Sequence, residues 1–101
     1  MLKNNRFYNI ISSSKPVLVD FYADWCVPCK ELPPILNKLK DELKEDIRII
    51  KVNVENNPFI ATKYKIRSIP TLIIFKNSIP QWKGTGVYGF DELKSVVQRH
   101  I

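Results

Sequence analysis

Apolar positions along this chain alternate between two periods. Residues 17–23 (Val17-Leu18-Val19-Asp20-Phe21-Tyr22-Ala23) form a nearly continuous β-type run, the pattern of a strand buried on both faces. From Lys30 to Leu43 the period becomes helical. Leu32, Ile35, Leu36, Leu39 and Leu43 share one face, and Lys38, Lys40, Asp41, Glu42 and Lys44 lie opposite, so this helix is predicted to pack on a sheet. Pro33 and Pro34 fall inside it and remove the bonds that would return to the carbonyls of Cys29 and Lys30, which predicts a bend one turn in. Residues 47–54 read as a second buried strand. Asn56-Asn57-Pro58 opens a short helix running to about Tyr64, with Pro58 suited to its first turn. Strands alternating with helices predict a parallel βαβ core.

Residues 66–71 interrupt the pattern, and Leu72-Ile73-Ile74-Phe75 is a third strand. Lys76-Asn77-Ser78 reads as a hairpin turn into a last strand over residues 80–87, whose Pro80 and nearby glycines suit a sheet edge. Residues 90–101 form a terminal helix with Leu93, Val96 and Val97 as its apolar stripe, Asp91 and Glu92 in its first turn and Arg99 and His100 in its last. At the other end, residues 1–14 read as a short helix carrying Phe7, Ile10 and Ile11. The 101 residues are expected to form one α/β domain, residues 1–101, large enough for its own core.

Charge and composition narrow the function. Sixteen Lys and Arg against ten Asp and Glu give a net charge of +6, which biases encounters toward acidic partners. The basic residues are scattered, and no phosphate loop or zinc-finger spacing accompanies them, so no nucleic-acid partner is expected. No run approaches the roughly 18 apolar residues of a membrane span, and no secretory segment is visible. The expected compartment is the cytoplasm, with no membrane contact.

The chemistry lies in Trp25-Cys26-Val27-Pro28-Cys29-Lys30, which holds both cysteines of the chain. It sits where the first strand gives way to the first long helix. Unpaired N–H groups and the positive end of the helix dipole lower the pKa of a thiol placed there. Two such thiols one turn apart suit the making and breaking of disulfides. Half of a zinc site is the alternative, but a second ligand pair is absent and His100 lies at the far terminus, so no metal is expected. Asp20, a carboxylate in the middle of an apolar strand, either marks an exposed sheet edge or is buried at a cost that has a functional reason, against which stands a satisfied structural carboxylate.

With these motifs in their order, the sequence resembles the thioredoxin family. The likeness rests on Val17-Leu18-Val19-Asp20-Phe21, Trp25-Cys26-x-Pro28-Cys29-Lys30, Pro34, Ile69-Pro70-Thr71 and Gly86, and covers nearly the whole chain from Phe7 onward. It implies a thioredoxin fold: a central mixed sheet, mostly parallel with an antiparallel hairpin, flanked by helices on both faces. It also implies a cis peptide before Pro70, facing the cysteine pair, and dithiol–disulfide exchange at Cys26 and Cys29. Three departures stand out. Val27 occupies a position usually taken by Gly, Tyr22 one often taken by Trp, and the N-terminus is short, so that the usual first edge strand is truncated or missing and the strand over residues 47–54 is left less covered.

The resemblance further implies each role. Cys26, expected to be the more exposed thiol, attacks a substrate disulfide, and Cys29 resolves the mixed disulfide. Asp20 serves Cys29 as general acid and base from beneath the motif, with its pKa raised by burial. Lys51, on the neighbouring strand, either approaches that carboxylate or faces water, with water slightly favoured. Trp25, Val27, Pro28, Ile69, Pro70, Gly86 and Val87 form an apolar platform for an extended substrate segment, to which the backbone of Ile69 adds as a strand and Gly86 allows close approach. The implied activity is reduction of protein disulfides by a monomer without a cofactor of its own, recharged by a flavin-dependent thioredoxin reductase-like donor. A redox-switched partner-binding module and a disulfide donor or isomerase are the alternatives.

Overall fold

The computed structural model describes residues 2–101. Met1, at which the predicted first helix begins, lies outside the described residues. In chain order the elements are α1 (Leu2–Ile11), β1 (Val17–Tyr22), a 3₁₀ turn (Pro28–Glu31), α2 (Leu32–Leu43), a second 3₁₀ turn (Lys44–Asp46), β2 (Arg48–Asn53), α3 (Pro58–Lys63), β3 (Thr71–Lys76), β4 (Ile79–Thr85) and α4 (Phe90–Gln98). The strands form one sheet in the order β2-β1-β3-β4.

Alternation along the two inner strands assigns the helices to faces. On β1 and β3, Leu18, Leu72 and Ile74 join a core with Leu32, Leu36, Leu39 and Leu43 of α2 and Leu93, Val96 and Val97 of α4. Val17, Val19, Phe21, Ile73 and Phe75 face the other way, onto Phe7 and Ile11 of α1 and Ile60 of α3. Side chains two residues apart share a face, so an apolar run with no polar gap is what a doubly covered strand requires. The mixed sheet and the helices on both faces agree with expectation. Parallel pairing, however, is confined to β1 and β2; β1–β3 and β3–β4 are both antiparallel. The βαβ pattern sets the direction of the first two strands alone, because only they are joined by a full crossover helix.

Local chemistry sets the boundaries. The predicted bend at Pro33-Pro34 is instead a change of helix type: the chain runs as a 3₁₀ turn through Glu31, and α2 starts at Leu32 with proline in its opening positions. There the missing N–H groups would have had no intrahelical acceptor in any case. The β3–β4 hairpin closes through Asn77 (φ 53°) and Ser78 (φ 68°), both left-handed as a two-residue type I′ turn demands. Pro80 lies on the edge strand beside a bulge, where its missing N–H breaks no ladder bond. Among the described residues no strand precedes α1, and β2 is the other sheet edge.

Candidate active site

β1 runs into the site and determines what lies beneath it. Asp20 shares a face with Leu18, the face covered by α2, and pairs across the ladders with Lys51 on one side and Leu72 on the other. Its side chain is fully buried, and neither carboxylate oxygen has a hydrogen-bond partner among the described residues. Burial pushes its pKa up to about 6, partly opposed by the positive charge of Lys51. Lys51 is itself exposed, its Nζ 4.5 Å from the Tyr22 ring centroid, so it both meets water and acts on Asp20. Lys51 and Cys29 line one hollow of about 150 Å³, together with Tyr22 and Pro33.

Past the end of β1 the chain turns through Ala23, whose C=O accepts from the Cys26 N–H at 3.2 Å. Cys26 and Cys29 are joined as a disulfide with 5.3 Å between their Cα atoms. The Cys29 N–H donates to Cys26 Sγ at 3.2 Å, so the sulfur of Cys26 receives a first-turn amide. Cys26 is not the more exposed of the two: it is 3% exposed and Cys29 5%. What distinguishes Cys26 is its flanks, because Trp25 and Val27 are 66% and 72% exposed while the helix encloses Cys29. Spacing places a cysteine at a helix start, but it cannot show how far the neighbouring loops close over a sulfur.

The facing wall comes from the other half of the chain. The Ile69–Pro70 peptide is cis, as the resemblance implied, and Ile69 packs on the cluster of Ala23, Cys26 and Cys29. Pro70 is buried, so it belongs to the wall and not to an open platform. Among the described residues the N–H and C=O of Ile69 make no bond to other backbone. Pro70 O accepts from the Gly86 N–H at 2.8 Å. Gly86 has φ +89°, and a side-chain carbon there would meet nothing within 4 Å. Within this chain its need is therefore conformational, and the space beside it is open. Pro28 and Val87 are exposed beside this wall.

Two further residues, one bonded to the rim and one exposed on α3, carried no usable sequence signal. Glu55, in the loop after β2, accepts from the Trp25 indole Nε1 at 2.9 Å and fixes that ring over the surface. Phe59, next to Pro58 in the first turn of α3, is exposed. An acidic residue thirty positions from its partner cannot be paired by pattern, and a single aromatic in a helix reads as core.

Geometry, polarity and bonding together describe a disulfide in contact with a first-turn amide and packed beside Ile69, with a buried carboxylate on the strand that leads into it. Comparisons with known proteins agree. The Thioredoxin family model matches residues 1–99. A thioredoxin of Rickettsia bellii is 42% identical over 92 residues, 91% of this chain and 88% of that protein. Chloroplastic thioredoxin Y1 of Arabidopsis thaliana is 49% identical over 71 residues, 70% of this chain but 41% of that longer protein. Among solved structures, a mutant thioredoxin from Halobacterium salinarum superposes with a TM-score of 0.87 at 31% identity, covering 95% of this chain and 83% of that one. With nearly its whole length matched by the family model and its cysteine pair in place, the chain belongs to the thioredoxin family.

Proposed function

We propose that this protein reduces disulfides of other proteins by thiol–disulfide exchange at Cys26 and Cys29, working as a single monomeric domain. The observation that carries the reading is the Cys26–Cys29 disulfide, whose Cys26 sulfur accepts a first-turn amide between the exposed side chains of Trp25 and Val27. In the reduced form Cys26 attacks as thiolate, aided by the Cys29 N–H. The substrate S–S bond breaks, one substrate sulfur leaves as thiolate, and the other is held in a mixed disulfide with Cys26. Cys29 then gives its proton to the Asp20 carboxylate and attacks Cys26 Sγ. The second substrate thiolate leaves, takes up a proton, and the Cys26–Cys29 disulfide of this structure results. A carboxyl with pKa about 6 suits this duty, since it is ionised often enough to accept a proton and acidic enough to return it. Trp25, Val27, Pro28, Ile69, Gly86 and Val87 receive the substrate as an extended segment, Pro70 holding the wall behind it, and the free backbone groups of Ile69 pair with it.

Net reduction requires a compartment and donor that keep the pair as dithiol, so the proposal places the protein in the cytoplasm with a flavin-dependent reductase as donor. Among the described residues no helix is long and apolar enough to cross a membrane.

Replacement of each cysteine tests the order of attack. With a protein disulfide as substrate and a dithiol reductant, Cys26→Ser is expected to abolish turnover, and Cys29→Ser to accumulate a mixed disulfide through Cys26. Trapping through Cys29 in the Cys26→Ser protein reverses the order. A wild-type protein that performs one stoichiometric exchange and stops is a redox-switched binding module instead. A midpoint potential far toward the oxidising end of the dithiol scale makes it a disulfide donor or isomerase.

A further inference from the structure

The geometry points to the free edge of β2 as a docking edge for an extended, acidic segment of a partner protein. β2 ends the sheet, so one of its sides has no strand neighbour among the described residues. The Arg48 N–H donates to Pro16 O at 3.1 Å and the Val54 N–H donates to Tyr22 O at 2.9 Å, which turns the even-numbered residues of this strand toward β1. Alternate residues point the other way, so Ile49 and Lys51 direct their N–H and C=O groups outward. Both ends of the outer row are occupied. Ile47 O accepts from Lys40 Nζ at 2.7 Å, and Asn53 O accepts from Asn57 Nδ2 at 3.0 Å. Ile49 and Lys51 remain as a short open stretch of ladder between two closed ends.

A hollow lies on each face of this edge. One, of about 290 Å³, includes Ile10 and Ile50 with Arg6 and Arg48. The other, of about 310 Å³, includes Leu36 and Ile49 with Lys40, Arg48 and Lys51. A strand added to β2 sends successive side chains to opposite faces, and so into the two hollows in turn. Apolar carbon lines both, cations border both, and neither is lined by an acidic residue. Among the described residues Arg6, Arg48 and Lys51 have no carboxylate within 4 Å.

Charge selects the occupant. A second copy docking β2 on β2 would crowd the Arg48 and Lys51 cations of both chains along one edge, where neither hollow holds an acidic residue to offset them. An extended segment with carboxylates at its ends and small apolar or hydroxyl residues between them meets the cations and fills the hollows. The net charge of +6 attracts the same partner at longer range.

The probe is an acetylated, amidated peptide, Glu-Glu-Val-Thr-Val-Thr-Glu-Glu, with the same peptide carrying Lys for Glu as control, each titrated into the full oxidised chain and followed by amide NMR. The acidic peptide is expected to shift the Ile49 and Lys51 amides and to slow their deuterium exchange about tenfold, with binding weakened about tenfold by Arg6→Glu plus Arg48→Glu. Added salt is expected to weaken it further. Disulfide reduction by that double variant serves as the check on its fold and is expected to be unchanged. The proposal is overturned if the Lys peptide binds as well, or if the shifts fall around Trp25 and Ile69 and leave β2 unmoved. It is overturned equally if sedimentation shows the chain pairing with itself through this edge, or if a single-stranded oligonucleotide shifts Ile49 and Lys51 where the peptide does not.

Discussion

Asp20 carries the largest energetic penalty visible at the scale of one residue. Its carboxyl has a pKa of about 6 in the folded chain against 3.8 for an ordinary Asp, so the folded state binds the proton more tightly. Below the lower value the group is neutral in both states and its burial costs little. The penalty grows as pH rises through the window between the two values and is complete above it. Asp20→Asn is therefore expected to raise unfolding stability by on the order of 2–3 kcal/mol at about pH 7.5 and to change it little at about pH 3.5. Urea unfolding at the two pH values reads this directly, and an equal gain at both would assign the effect to packing. The same variant is expected to slow resolution of the mixed disulfide, because Asn cannot take the Cys29 proton. Asp20 was visible in the sequence as a break in an apolar run, but its lack of a hydrogen-bond partner among the described residues was not. That depends on what α2, β2 and β3 present to it, and none of those contacts lies within ten residues along the chain.

Single elements show where local sequence and local geometry disagree. Lys65 closes α3 in the left-handed region at φ 55°, its N–H donating to Thr62 O at 3.1 Å and the next N–H, of Ile66, to Ala61 O at 2.9 Å. That end position favours glycine, which has no Cβ to strain. The Lys65 carbonyl, which accepts from Lys83 Nζ at 3.2 Å, survives any substitution. Lys65→Gly is thus expected to raise stability by about 0.5–1 kcal/mol, seen as a higher thermal midpoint. A lower midpoint would show that the exposed Lys65 side chain has a stabilising contact of its own. Elements governed by near neighbours were well read from the sequence: α2 from its leucine stripe, the hairpin from Asn77, and the start of α3 from Pro58. The 3₁₀ turn that holds Cys29 reads in the sequence as part of one bent helix, since periodicity does not separate helix types over a single turn.

At the scale of the whole molecule, the sheet divides two cores that share strands but few side chains. Leu39 of α2 lies in one and Ile60 of α3 in the other, both fully enclosed. Leu39→Ala is expected to cost about 2–5 kcal/mol and Ile60→Val about 0.5–1.5 kcal/mol. The double variant is expected to lose the sum to within about 0.5 kcal/mol by denaturant unfolding. A larger mismatch would mean that strain passes through the sheet. Topology was the part least legible beforehand. The apolar runs at residues 17–22 and 71–76 are alike in composition, and nothing in either says whether they run parallel or antiparallel, because that is decided by the loop from Tyr64 to Pro70 and by which helix covers which face.

That antiparallel pairing of β1 and β3 has a consequence for the making of the protein. It brings the end of β1 and the start of β3 to the same edge of the molecule, with Gly86 bonded to Pro70 beside them. On a ribosome, Cys26 and Cys29 emerge well before Ile69, Gly86 and Val87. Until those residues follow, the two thiols have no opposite wall and are open to any oxidant or cysteine nearby. The surface proposed to receive a substrate is thus completed only after the segment through Val87 has been made, well after both thiols.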